Sequence, residues 1–155
     1  SFRASEAAHA MGYECMFTDA KTHKYIDECT ASNFIGIRRL GDKAKGWEYI
    51  TPRSSAILPS ITNDSLMTLA REMGMKVTRR RICVEELADI QEAAACGTTA
   101  VASPIGEIHD IDNSKKHIVS KDGNPGPITT ALYNKLRGIQ LGEEEDIHNW
   151  NTVIE

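Results

Sequence analysis

The chain has 155 residues, 41% hydrophobic and 26% charged, a size that favours one domain with a full-sized core. Eighteen Lys and Arg against 22 Asp and Glu leave a net charge of −4, which argues against a nucleic-acid-binding module; the one basic run, Arg79-Arg80-Arg81, reads as a solvated face or a local salt-bridge partner. No stretch approaches the roughly 20 apolar residues of a membrane span, and the scattered cysteines and histidines lack zinc spacing, so the composition points to a soluble, cytoplasmic chain with free thiols and no metal.

Helical and extended patterns alternate along the chain, as in a mixed α/β domain. Residues 2–11 carry Ala4, Ala7, Ala8 and Met11 at three-to-four spacing, an amphipathic helix stopped by Gly12 and not the apolar core of a signal peptide. Residues 15–18 read as a strand, 20–24 as a polar turn, and Tyr25-Ile26 as the start of a further extended piece. Residues 33–37 and 47–51 form a hairpin across the Gly/Lys-rich turn 41–46. A proline-containing loop, 57–62, leads into a helix over 63–73, with Leu66, Leu69, Ala70 and Met73 on one face and Gly74 closing it. Residues 76–82 alternate as a strand, 84–89 form a short helix, and 93–96 are a compact apolar run ending in Gly97-Thr98-Thr99. Residues 100–108 read as extended despite Pro104, and 110–124 as a polar hairpin tip and loop. The last helix covers 127–140, with Pro127 in its first turn and Leu132, Leu136 and Ile139 apolar.

Two loops are suited to an anion. Leu58-Pro59-Ser60-Ile61-Thr62 runs straight into a helix, whose free N–H groups and positive dipole end form a natural phosphate site. Thr62 either caps that helix or turns its hydroxyl to a ligand; taken alone, the ordinary cap is the simpler explanation. Gly97-Thr98-Thr99 combines a small residue that lets backbone approach a ligand with two hydroxyl donors, although a β-turn or bulge explains it as simply. Glu28 lies between an apolar strand and a small-residue turn, where a half-buried carboxylate demands a cationic partner; a surface salt bridge and a pyridinium nitrogen both satisfy that demand. Cys29 beside it reads as a packing residue, with no histidine nearby in sequence to make it a nucleophile.

Together these segments resemble the branched-chain aminotransferases, fold-type IV pyridoxal-phosphate enzymes. YIDECTASNFIGI resembles the family segment with a Glu, a small-residue turn and an Asn before an apolar strand. ILPSITNDSLMTLAREMGMKV resembles its leucine-proline-glycine-isoleucine-threonine loop and following helix, ACGTTAVASPIGEI its glycine-threonine-alanine loop, and GPITTALYNKLRGIQLGEEEDIHNW its C-terminal helix and tail. The resemblance implies the large cofactor-binding domain of the D-amino-acid aminotransferase-like fold, an α/β domain with a mixed sheet. It implies a homodimer that moves an amino group between branched-chain amino acids (leucine, isoleucine, valine) and the 2-oxo acid 2-oxoglutarate. It also implies residue roles. Glu28 would hold the pyridine nitrogen of pyridoxal 5′-phosphate, and Leu58 would lie against the ring. Ser60, Ile61, Thr62, Gly97 and Thr98 would cradle the phosphate, and Thr98 and Thr99 would face the substrate carboxylate. D-amino-acid aminotransferase and aminodeoxychorismate lyase share the fold, and a binding domain that kept the fold without the chemistry is the alternative of another class.

The chain departs from the family at four places. Ser60 replaces a glycine and Thr99 an alanine, the first narrowing the backbone's freedom. Thr30-Ala31-Ser32 differs from the commoner turn residues, and Ala100 and Ser103 stand where some animal members carry a redox cysteine pair, so no such thiol switch is expected. The family's Schiff-base lysine precedes the first helix, which the resemblance sets upstream of Ser1, and none of the nine lysines here has a desolvated setting. The expectation is one domain over residues 1–155, most of the large domain, without that lysine or the small N-terminal domain. Such a chain is expected to be inactive alone, with no catalytic residue of its own and with Phe2, Met11 and Leu58 left on an open apolar surface.

Overall fold

The third strand organises the molecule. The computed structural model describes residues 2–41, 46–111, 113–152 and 154, except for the side chains of Phe2 and Ala4. In β3 (Ser32–Arg39) five consecutive residues, Asn33 to Ile37, are buried, the pattern of a strand covered on both faces. Along one edge it pairs antiparallel with β6 (Glu92–Gly97), from Asn33↔Cys96 to Ile37↔Glu92. Its other edge is shared: β2 (Ile26–Cys29) takes Ser32 and Asn33, and β4 (Trp47–Pro52) takes Gly36 to Arg39. β1 (Met16–Thr18) lies beyond β2, and β7 (Val101–Pro104) beyond β6. β5 (Lys76–Arg80) runs parallel to β4, which requires a crossover, and helix α2 (Ile61–Glu72) is that crossover. These seven strands form one mixed sheet; β8 (Glu107–Asp110) and β9 (Lys115–Ile118) form a separate hairpin.

Helix α1 (Phe2–Ala10) opens the described chain, and α3 (Pro127–Leu141) packs beside α2. One core lies between the sheet and these two helices: Ile35, Ile37, Tyr49 and Cys96 meet Leu66 and Leu69 of α2 and Leu132 and Leu136 of α3. A second core joins Phe34, Ile50 and Ala93 to Ile82, Leu87 and Ile90 around the 3₁₀ turn Val84–Asp89.

The mixed α/β expectation holds, with shifts at several boundaries. The 76–82 strand ends at Arg80, because the Ile82 carbonyl accepts the Ile26 N–H (2.9 Å) and draws the chain across to β2. The extended stretch 100–108 is two strands. Gly106 leaves the ladder, its carbonyl taking the N–H groups of Val119 and Ser120 (2.9 Å each), while Pro104 sits on an edge strand that tolerates it. The basic triplet is dispersed into local partners: Arg79 pairs with Asp64, Arg80 with Glu86, and Arg81 lies 3.6 Å from the centre of the Tyr25 ring. Three expectations fall outside the described set: Ser1, upstream of which the resemblance sets the lysine; residues 42–45 of the 41–46 turn; and the side chains of Phe2 and Ala4.

Helix α3 is capped from a distance. Its N-cap, Gly126, has no side chain to accept the first free N–H groups. The buried Glu92 carboxylate accepts them instead, from Ile128 (3.2 Å) and Thr129 (2.7 Å), placing negative charge at the positive end of the helix. A Cβ on Gly126 would lie 2.1 Å from Glu92 Cδ, so the glycine makes room for the carboxylate. Glu92→Ala is expected to destabilise the fold by about 1–3 kcal/mol through the orphaned amides, and Gly126→Ala to destabilise it through the clash. The double variant should be markedly less unstable than the sum, as urea unfolding of all four proteins would show.

Candidate functional site

Helix α2 begins earlier than the sequence pattern suggests, at Ile61 and not Asn63, because Ser60 caps it. Ser60 is extended (φ −124, ψ 116), its hydroxyl accepts the Asn63 N–H at 3.1 Å, and its carbonyl accepts the Asp64 N–H at 3.0 Å. That φ is open to any residue, so serine in place of glycine brings no strain and adds a cap. Thr62, the expected alternative cap, lies inside the first turn. Its hydroxyl, its amide and the amide of Ile61 have no partner among the described residues.

A buried chain of hydrogen bonds fixes where this helix end sits. Asn63 is buried, and its Oδ1 accepts the Tyr49 hydroxyl proton at 2.7 Å. Asn63 Nδ2 donates to Thr51 Oγ1 (2.9 Å), which donates to the Phe34 carbonyl (2.9 Å). Burial also drives the Tyr49 pKa well above that of a free tyrosine, so its hydroxyl remains a donor.

Glu28, on β2, faces the loop that leads into this helix. Its Oε2 accepts the Leu58 N–H at 3.2 Å and, at 3.5 Å, one proton of Asn33 Nδ2; the same nitrogen donates to the Leu58 carbonyl at 3.1 Å. Its Oε1 has no hydrogen bond, and neither oxygen an ion pair, among the described residues. The sequence pattern singled out Glu28 but gave Asn33 no role. The signal was the short Thr30-Ala31 turn, which sets Glu28 directly opposite Asn33 across the β2–β3 ladder.

The third loop lies one residue beyond the same row. Asn33 pairs with Cys96 on its other edge, and the next residue, Gly97, pairs with Val101, leaving Thr98, Thr99 and Ala100 as an exposed three-residue turn. Their amides have no partner among the described residues. A Cβ on Gly97 would come 3.7 Å from the Ala31 carbonyl oxygen, so this turn lies against the 30–31 turn. Glu28, the Leu58–Thr62 loop and the Gly97–Thr99 turn therefore meet at one end of the sheet. Leu58 and Ile61 stand there 74% and 87% exposed, and Met11 is exposed as well.

Neither buried cysteine is poised for chemistry. Burial pushes the Cys29 thiol up to about 11 and Cys96 up to about 12, with the Ser32 and Ser60 hydroxyls offsetting part of the effect. Of the nine lysines, Lys43 and Lys45 lie outside the described residues. Lys76, Lys116 and Lys135 pair with Glu48, Glu107 and Glu72, and Lys21, Lys24, Lys115 and Lys121 are exposed. None of these seven bonds to Glu28 or to the two loops.

The arrangement offers helix and turn amides for an anion and, for a cationic nitrogen, a carboxylate oxygen without a partner among the described residues. The family model for amino-transferase class IV matches residues 1–108, and the chain belongs to that family. It is 43% identical over 152 residues to a branched-chain-amino-acid aminotransferase of Helicobacter pylori, covering 97% of this chain and 42% of the relative. It is 39% identical over 143 residues to one of Haemophilus influenzae, covering 92% and 39%. The solved branched-chain aminotransferase of Thermobaculum terrenum in its PLP-form superposes with a TM-score of 0.77 at 35% identity, over 96% of this chain and 44% of that one. The chain thus spans about two fifths of the length of these relatives.

The thiols set a measurable pH dependence. A thiol pKa raised by folding adds stability that is complete below the unfolded pKa, near 9, and is lost as pH rises through the folded values of about 11 and 12. Unfolding free energy should therefore fall steadily above pH 9. At pH 8, iodoacetamide followed by mass spectrometry should leave Cys29 and Cys96 unlabelled in the folded chain.

Proposed function

We propose that residues 1–155 form most of the large, cofactor-binding domain of a branched-chain amino acid aminotransferase that moves an amino group between leucine, isoleucine or valine and 2-oxoglutarate. The observation that carries this reading is Glu28: a carboxylate anchored through one oxygen by Leu58 and Asn33, its other oxygen without a partner among the described residues, beside the loop that leads into a helix whose first amides likewise have none there. Pyridoxal 5′-phosphate is the cofactor of this class, and the donor set fits it. A phosphate matches the amides of Ile61 and Thr62 and the hydroxyls of Thr62 and Thr98; a protonated pyridine nitrogen matches Glu28 Oε1.

When bound, the cofactor supplies a ring that accepts electron density from the substrate's α-carbon. The chain's own residues bind and orient. Glu28 favours the protonated ring nitrogen. Leu58 covers one side of the ring, and Ser60 and Asn63 hold the helix end that Ile61 and Thr62 present to the phosphate. Gly97 keeps its turn close to the 30–31 turn, and Thr98 and Thr99 offer amides to the substrate carboxylate. The exposed Leu58, Ile61 and Met11 supply apolar surface for the other elements of the enzyme and for a homodimer, the proposed working form.

Glu28→Gln in the whole enzyme keeps the size and removes the charge. Transition-state stabilisation of a few kcal/mol should disappear, lowering kcat on the order of 10²–10³-fold. A variant with half or more of wild-type kcat would remove Glu28 from the active site. Residues 1–155 alone, whose described lysines are exposed or ion-paired, should give no turnover with leucine, 2-oxoglutarate and pyridoxal phosphate. Turnover above background would show that a lysine of this chain acts, and would overturn the placement of the Schiff-base lysine upstream of Ser1.

A further inference from the structure

β7 begins with a residue in a conformation its side chain disfavours. Val101 has φ +60, a left-handed backbone in which a β-branched residue is an outlier. The Ala102 N–H donates to the Ala100 carbonyl at 2.7 Å and closes a three-residue turn centred on Val101, a turn that is rare and strained when its central φ is positive. His23, Ser114 and Asn149 also have positive φ, but each is polar and exposed; Val101 is 2% exposed.

The core keeps the strain in place. Val101 belongs to the cluster that includes Leu132, Leu136 and Ile139 of α3, and its backbone pairs with Gly97. Strain of this kind persists only where the surroundings over-determine it, and it collects at ligand-binding segments. Here it borders Thr98, Thr99 and Ala100, whose amides, without a partner among the described residues, follow one another through an exposed turn, an arrangement that suits an anion.

Resting on the function proposed above, we propose that Val101 is a positioning residue: its core-clamped turn holds Thr98 and Thr99 in one orientation, with their amides directed at an anionic ligand. A glycine at 101 removes both the clamp and the steric restriction, and an alanine removes the clamp alone, so either lets the turn sample other orientations. Isoleucine keeps the branched Cβ and the burial.

The test uses the 15N-labelled 155-residue chain, with inorganic phosphate as the probe. In the wild type the backbone order parameters of residues 98–100 should be near the rigid value of about 0.85, and the Thr98 amide resonance should move with phosphate. In V101G and V101A the order parameters should drop below about 0.6 and phosphate should bind at least about tenfold more weakly. V101I should match the wild type. Ile82→Ala, in the other core, serves as a variant of comparable instability and should leave residues 98–100 rigid. If V101G does not fold, V101A against V101I decides the matter. Rigid turns with wild-type phosphate response in V101A, or equal loosening in Ile82→Ala, would overturn the role of Val101 alone. A wild-type chain with a rigid turn but no response to phosphate would overturn the proposed function, and the ligand with it.

Discussion

The site depends on one buried side chain, Asn63. A helix end presents free amides usefully only if it is held in place, and a buried asparagine is stable only if its amide is bonded. Tyr49, Thr51 and the Phe34 carbonyl meet both requirements in one chain of hydrogen bonds that ties the first turn of α2 to the middle of the sheet. Loss of any member would leave its neighbours orphaned in a low-dielectric interior, so the network is rigid as a unit. From that fixed helix end the bonding continues into the loop: Ser60 caps the Asn63 N–H, and Leu58 bonds to Glu28 and Asn33.

Three glutamates differ in how fully the fold occupies their oxygens. Glu92 is buried and both its oxygens are taken by the amides of α3. Glu48 is fully buried, and Arg38, Lys76 and Thr78 surround it; burial alone would raise its pKa, and these partners overcome that and lower it. Glu28 differs from both, being half-buried with one oxygen anchored and the other without a partner among the described residues. A carboxylate oriented by the protein but left incomplete is the kind of group a ligand completes.

Much of this was legible in the sequence, for a physical reason. Leu66, Leu69, Ala70 and the strand-forming run from Asn33 to Ile37 carry the periodicity that burial imposes, so the elements and their order could be read from it. The loop before α2, the Gly97 turn and Glu28 stood out because their residue types suit anions or need partners, and the family resemblance joined them. Less legible was anything that depends on contacts between distant segments. Asn33 looks like one more strand residue until β2 lies beside it. Glu92 lies 36 positions from the helix it caps. The capping role of Ser60 was masked by Thr62, which has an equally suitable hydroxyl two residues later. Val101 carries no sequence signal at all, since valine is a residue one expects in a strand and its φ is set by the core around it.

The central claim is that Glu28 and the first turn of α2 address opposite ends of one ligand. The most direct measurement is the 15N resonance of pyridoxal phosphate labelled at its ring nitrogen and bound to this chain, recorded for the wild type and Glu28→Gln. The account predicts a bound cofactor with a protonated ring nitrogen in the wild type, and a nitrogen that loses its proton in the variant while the phosphate stays bound. A neutral nitrogen in the wild type, or the same protonated signal in both proteins, would contradict it.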